Sequence, residues 1–219
     1  TDIAVVSVDG GAPRVLTARR RVQIGFVLDT TGSMSEEIAE IKTTIRHVAG
    51  MLASDQIALD VGLVEYKDHG DAFVTNAFKL TPDVESFSRR IEGISAGGGG
   101  DTPEAVEDGL RAGLDDLGWS LDAPVKMAFL VGDAPPHEDA SGRKYQREAQ
   151  RYAHAGIPVF TIAASGMDTF GQMVWRQVAQ YTGGTNMFVL RGGAGPQSTG
   201  AGDPLSSCGT RQTSYTSGN

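Results

Sequence analysis

The residues able to do chemistry sit in three polar loops. "VLDTTGSMSEEI" (27–38) offers Asp29, Thr31 and Ser33, "SAGGGGDTPEAVEDGL" (95–110) offers Thr102, and "VKMAFLVGDAPPH" (125–137) offers Asp133. These are carboxylates and hydroxyls, with no His or Cys common to the three loops. Hard oxygen donors of few charges suit Mg²⁺ or Mn²⁺, not Zn²⁺. In Asp29-x-Thr31-x-Ser33 the side chains of alternate residues point the same way along an extended turn, so three oxygens can face one ion. Gly32 permits the tight path. Helix capping is the plainer reading of single residues: Ser33 with Glu36, and Asp101 with Glu104, both have capping-box spacing. Caps do not explain aspartates at the ends of two apolar runs. The set Asp29, Thr31, Ser33, Thr102 and Asp133 is therefore read as a metal site, and Asp101 and Ser35 as caps.

The elements that must position these loops alternate. "VQIGFVLD" (22–29), "IALDVGLVEY" (57–66), "VKMAFLVGD" (125–133), "VFTIAA" (159–164) and "TNMFVL" (185–190) are apolar runs of the kind buried on both faces of a sheet. "AFVTNAFKL" (72–80) alternates in part and suits an edge hairpin strand. Helices are expected over 35–53, where Ile38, Ile41, Ile45, Val48 and Leu52 recur at three- and four-residue steps, over 82–94, and from Pro103 onward with Val106, Leu110, Leu114 and Leu117. Two more are expected over 143–155 and 169–182, ended by Gly156 and by Gly183-Gly184. The alternation predicts an α/β fold: a doubly wound, Rossmann-like, mostly parallel sheet with one antiparallel edge strand and helices on both faces. Ligands of such sheets bind at the carboxyl ends of the strands, where the three loops converge.

Residues 1–21 read as an N-terminal extension, 22–191 as the domain, and 192–219, rich in Gly, Ser, Thr and Pro, as a mobile tail or linker. The basic run "ARRR" (18–21) reads as a solvated approach to the first strand. The chain has 219 residues, 40% of them hydrophobic, enough for one packed α/β domain. A net charge of −8 argues against nucleic acid or an anionic membrane as partner and suits a divalent cation. One cysteine, Cys208, allows no intrachain disulfide, and no apolar run approaches a membrane span. The compartment stays open.

With these motifs in place, the sequence resembles the von Willebrand factor A domain family over roughly residues 22–190. "DTTGS" is similar to the D-x-(S/T)-x-S signature of that family's metal-ion-dependent adhesion site, Thr102 in "GGDTPEA" to its separate threonine, and Asp133 in "LVGDAPP" to its later aspartate. The resemblance implies a non-catalytic module in which an ion held by these five residues bridges to an Asp or Glu carboxylate of a protein partner, within a larger multidomain protein. One alternative is an enzyme, since "VLDTTGS" also resembles the "DKTGT" loop of haloacid-dehalogenase-like phosphotransferases. Asp29 would then be the nucleophile with Mg²⁺ and a lysine as helpers, for which only Lys67 and Lys126 offer themselves. A nucleotide-binding module is a third class, but "GGGG" lacks the Walker lysine and dinucleotide spacing. Asp68, His69, Asp71 and His137 read as turn or rim residues, and four histidines without ligand spacing give little weight to zinc.

Overall fold

In the computed structural model the central strand is β1 (Arg21–Asp29), buried along its length except at Arg21. The structure describes residues 21–35, 37–54, 57–138, 144–164, 166–191, 209–210 and 213–218. A 3-10 turn (Gly32–Ser35) and helix α1 (Ile38–Ser54) follow β1. Then come β2 (Ala58–Tyr66), β3 (Thr75–Thr81), α2 (Val84–Glu92) and α3 (Val106–Asp115). The remainder is β4 (Val125–Gly132), α4 (Tyr145–His154), β5 (Val159–Ala163), α5 (Thr169–Thr182), β6 (Asn186–Arg191), β7 (Gly209–Thr210) and β8 (Thr213–Gly218).

The strands form one sheet in the order β3-β2-β1-β4-β5-β6-β8-β7. β1 pairs in parallel with β2 and β4, and β4, β5 and β6 continue in parallel. The expected antiparallel edge strand is β3, which returns beside β2. At the other edge β8 pairs antiparallel with β6, and β7 with β8. These two strands fall within the segment read from composition as a tail. "TSYTSG" has β-prone Thr and Tyr but too few large apolar residues to announce a strand. The N-terminal extension and most of the tail lie outside the described residues.

Both faces of the sheet are covered because β1 carries apolar side chains on both. Phe26 and Leu28 pack with Met34, Ile38 and Ile45 and with Phe87 and Ile91 of α2. Val27 faces the opposite way, onto Val106 and Leu110 of α3, Tyr152 of α4, and Val174, Trp175 and Val178 of α5. Each fully buried large side chain contributes about 1.5–3 kcal/mol by leaving water. Phe26, Phe129 and Phe160 stack across β1, β4 and β5 at centroid distances of 5.4 and 5.3 Å. The one polar side chain inside β1, Gln23, is satisfied: it donates to Asp60 Oδ2 at 2.9 Å and accepts from the Ser120 N–H at 2.9 Å. Of the basic run, Arg21 pairs with Asp60 at 2.8 Å, and the rest lies outside the described residues.

Element ends follow local chemistry. Asp168 caps α5 by accepting from the Gly171 N–H at 2.6 Å, and Gly183 closes it with φ +83°. α3 starts at Val106, three residues later than Pro103 suggested. Its N-cap is Ala105, without a side-chain cap, so the capping-box reading of Asp101 and Glu104 is wrong. The residues from 104 to 136 explain the delay. Glu104 forms a parallel bridge with Pro136, and its N–H donates to Pro135 O at 3.0 Å. The backbone is thus tied to the neighbouring loop before it can begin a helix.

Candidate metal centre at the strand ends

The chain leaves β1 toward β2 on one side, while β4 lies on the other, so the sheet order reverses between β1 and β4. Asp29 is the last residue of β1, and Asp133 follows directly on β4. Parallel pairing of Leu28 with Val131 brings the two loops side by side at this switch point.

Asp29 is 0% exposed. Its Oδ1 accepts from the Thr31 N–H at 2.8 Å and from the Thr31 hydroxyl at 2.6 Å. The Thr31 and Ser33 hydroxyls lie 3.2 Å apart, and Ser33 donates to Asp133 Oδ1 at 3.0 Å. Four of the five residues named from the sequence therefore form one continuous chain of oxygens. Thr30 turns away, its hydroxyl donating to Tyr66 O at 3.3 Å, but Ser33 lies in the 3-10 turn Gly32–Ser35 and not in the extended turn expected, so it reaches Thr31 by a helical bend of the chain. Ser33 is used within the chain, and its proposed capping partner Glu36 lies outside the described residues. Thr102 is exposed, and no hydrogen bond joins it to the other four.

The loop that carries Thr102 is nevertheless knitted to the first loop. The Gly97 N–H donates to Thr30 O at 3.0 Å, and the Gly32 N–H to Gly98 O at 2.9 Å. The Lys67 ammonium is buried and donates to Thr30 O and Gly97 O, pinning both loops from one point. The Asp71 carboxylate accepts from the Gly99 N–H at 2.9 and 3.1 Å. Gly99 has φ +65°, and a Cβ there would lie 2.7 Å from Glu104 Oε1 and 2.8 Å from Thr31 Cβ, so glycine is required by both conformation and space.

Negative charge accumulates here. Burial pushes the Asp29 carboxyl up to about 6, opposed by its bonds from Thr31 and reinforced by Asp133. Asp133 is raised by burial, with its bond from Ser33 pulling the other way. Glu104 is driven highest, to about 8, by burial and then by Asp29, Asp68, Asp71 and Asp133. Asp29 Oδ2 and the neighbouring buried Tyr66 hydroxyl have no well-aligned hydrogen-bond partner, although the two lie close enough to act on each other. A buried carboxylate oxygen left without a donor costs free energy that a cation offsets.

Glu104 and Lys67 hold places that sequence reasoning did not give them. Glu104, Glu107 and Asp108 are all buried, an unusual placement for acids, and their spacing of three and four puts them on one face of α3 and its approach. That spacing was the available signal. Lys67 is committed to two backbone carbonyls, so nothing here supports the phosphotransferase alternative, which needs a lysine free to meet phosphate.

The histidines also depart from the sequence reading. His69 and His137, 68 residues apart in the chain, stack with ring centroids 5.0 Å apart, beside Asp68. Spacing along the chain gave no hint of this.

A family model described as von Willebrand factor A domain matches residues 23–190. The human von Willebrand factor A domain-containing protein 7 is 36% identical over 125 residues, covering 54% of this chain and 14% of that protein. The alpha-protein kinase vwkA of Dictyostelium discoideum is 29% identical over 142 residues, covering 64% of this chain and 22% of that protein. The chain thus spans less than a quarter of these relatives' lengths. Among solved structures, a von Willebrand factor type A protein from Catenulispora acidiphila aligns with a TM-score of 0.59 at 16% identity, over 78% of this chain and 39% of that one. The pilus adhesin SpaC from Lactobacillus rhamnosus GG aligns with a TM-score of 0.57 at 16% identity, over 76% of this chain and 27% of that one. At such identities the structural likeness speaks for the fold.

Proposed function

The chain belongs to the von Willebrand factor A domain family, and from that premise we propose that it is a non-catalytic protein-binding module that depends on Mg²⁺ or Mn²⁺. Asp29, Thr31, Ser33, Thr102 and Asp133 are the residues that would hold the ion, directly or through water. The observation that carries this reading is the orphaned, fully buried Asp29 Oδ2 at the head of a run of hydroxyls ending on Asp133. The donor set fits the ion class, because every member offers oxygen and only two carry charge. When bound, the ion supplies an electrophilic coordination place that a partner's Asp or Glu carboxylate can fill.

The chain's own residues do the rest. Thr31 and Ser33 hold their hydroxyls between the two aspartates, so neither carboxylate must reorganise. Lys67 and Asp71 fix the glycine loop against Thr30 and Gly32, which presents Thr102 at the surface. The acidic surroundings would repel a partner carboxylate without the cation, which makes partner binding depend on it.

The test is calorimetric titration of Mg²⁺ and then Mn²⁺ into metal-stripped protein, with and without a glutamate-containing peptide. One equivalent of ion, lost in Asp29→Ala while that variant still melts cooperatively, is the expected result. No binding at millimolar metal, even with the peptide present, would reject the reading.

A further inference from the structure

We propose that Asp68, His69 and His137 form a second cation site, one that takes a borderline divalent transition ion with Zn²⁺ foremost. It shares no residue with the strand-end set. One ligand atom from each of the three lies within 4.8 Å of the others. Two imidazoles and one carboxylate are donors for Zn²⁺ and its neighbours in the transition series, and poor ones for Mg²⁺, which takes oxygen.

The scaffold holds the three in place. Asp68 and His69 lie just past the end of β2, after Lys67, where the Asp68 N–H donates to Asp71 Oδ2 at 3.1 Å. His137 follows Pro136, which is bridged to Glu104. Asp108 is bonded to His69 Nε2 at 2.9 Å, the carboxylate-to-imidazole support that orients metal-ligating histidines. The His137 Nε2 lies 2.5 Å from Asp68 Oδ1, so a ligand pair already converges without an ion.

A separate observation points to the missing charge. Glu107 is only 3% exposed, and its Oε2 has no hydrogen-bond partner. The His137 and His69 imidazoles lie near enough to its carboxyl to act on it. Asp68, Asp71, Glu104, Glu107 and Asp108 gather on this side of the strand ends, with Lys67 spent on backbone carbonyls and Arg111 reaching only Asp108 among them, at 3.4 Å. A dication between Asp68 and the imidazoles offsets that crowding. His69 keeps the site open to solvent, which leaves a coordination place for water or a partner side chain.

The experiment adds Zn²⁺ alone to the chelator-stripped full chain, followed by calorimetry and by X-ray absorption at the zinc edge. The expected result is one Zn²⁺ with a nitrogen and oxygen shell at about 2.0–2.1 Å and outer-shell imidazole scattering. Binding should survive Asp29→Asn. It should weaken at least about 100-fold in His69→Ala and His137→Ala, and about tenfold in Asp108→Asn. Mg²⁺ titration of His137→Ala should match wild type, so failure of this site and failure of the strand-end site are told apart. No Zn²⁺ binding below millimolar, a spectrum without imidazole scattering, or binding lost in Asp29→Asn but kept in both histidine variants would overturn the proposal. The absorption spectrum is read on unmutated protein, so it stands even if a variant fails to fold.

Discussion

The Ser33 hydroxyl donates to Asp133 Oδ1 at 3.0 Å, joining residues 100 positions apart. That bond closes the gap between the loop after β1 and the loop after β4. It turns two strand-end aspartates into one polar centre.

Removing that hydroxyl should therefore touch the ion more than the fold. Ser33 is exposed but donates to the buried Asp133, so Ser33→Ala should lower stability by about 1 kcal/mol. Mg²⁺ affinity should fall about tenfold, because Asp133 loses its donor and the ion one oxygen. Denaturant melts and calorimetry measure the two effects; equal Mg²⁺ affinity in the variant would remove Ser33 from the site.

Asp29→Asn should behave in the opposite way to most core substitutions. The buried carboxylate is raised to about 6 and has an unpartnered oxygen, so neutralising it costs the metal-free fold little. The variant should melt no lower than wild type without metal and should lose the rise in Tm that Mg²⁺ gives the parent. Scanning calorimetry with and without Mg²⁺ decides this. An equal rise in both proteins would place the ion elsewhere.

Glu104 makes stability depend on pH. Its carboxyl has an ordinary value of 4.5 and is raised to about 8 in the fold. The folded chain then binds more protons than the unfolded one between those values, so stability falls as pH rises from about 4.5 to about 8. Below that window the group is neutral in both states and costs nothing. Glu104→Gln should stabilise metal-free protein at pH 8.5, by at most about 5 kcal/mol, and leave it unchanged at pH 4. Urea melts at the two pH values give the comparison; the same difference at both would show that charge is not the cause.

The glycine loop should tolerate a methyl group at one position and not at its neighbour. Gly99→Ala meets Glu104 and Thr31 and must hold φ +65°, at a cost of about 1–3 kcal/mol. Gly100→Ala meets nothing within 4 Å and should be neutral within about 0.5 kcal/mol. Mg²⁺ binding should weaken in the first variant only. Equal melting of the two would mean that the loop repacks freely.

The glycine loop also marks where sequence reading stopped. Thr102 is named from its polar loop and from the family resemblance, and the structure leaves it exposed, with Pro103 three residues ahead of the helix it was expected to start. Glu104 looked like a cap because i, i+3 spacing is the same for a cap and for a buried acid. The histidines were dismissed because spacing along one loop says nothing about a ring arriving from another.

What the sequence determined by itself was local and periodic. Apolar runs of six to ten residues bounded by turn signals favour strands buried on both faces, three- and four-residue steps favour helices, and their alternation favours a doubly wound sheet as the packing that covers them. Asp29, Thr31 and Ser33 were legible as neighbours within one short turn, though the turn is 3-10 from Gly32 and not the extended path that alternation assumes. Only the tertiary structure decided what meets across the strand order: Asp133 beside Ser33, Lys67 under two loops, Glu104 in the field of four aspartates, and His69 against His137. Those contacts depend on β4 lying next to β1 and on where each loop is tied. Burial then sets their energetics, because a carboxylate that is unremarkable in water becomes, without a partner in the interior, a demand for a cation.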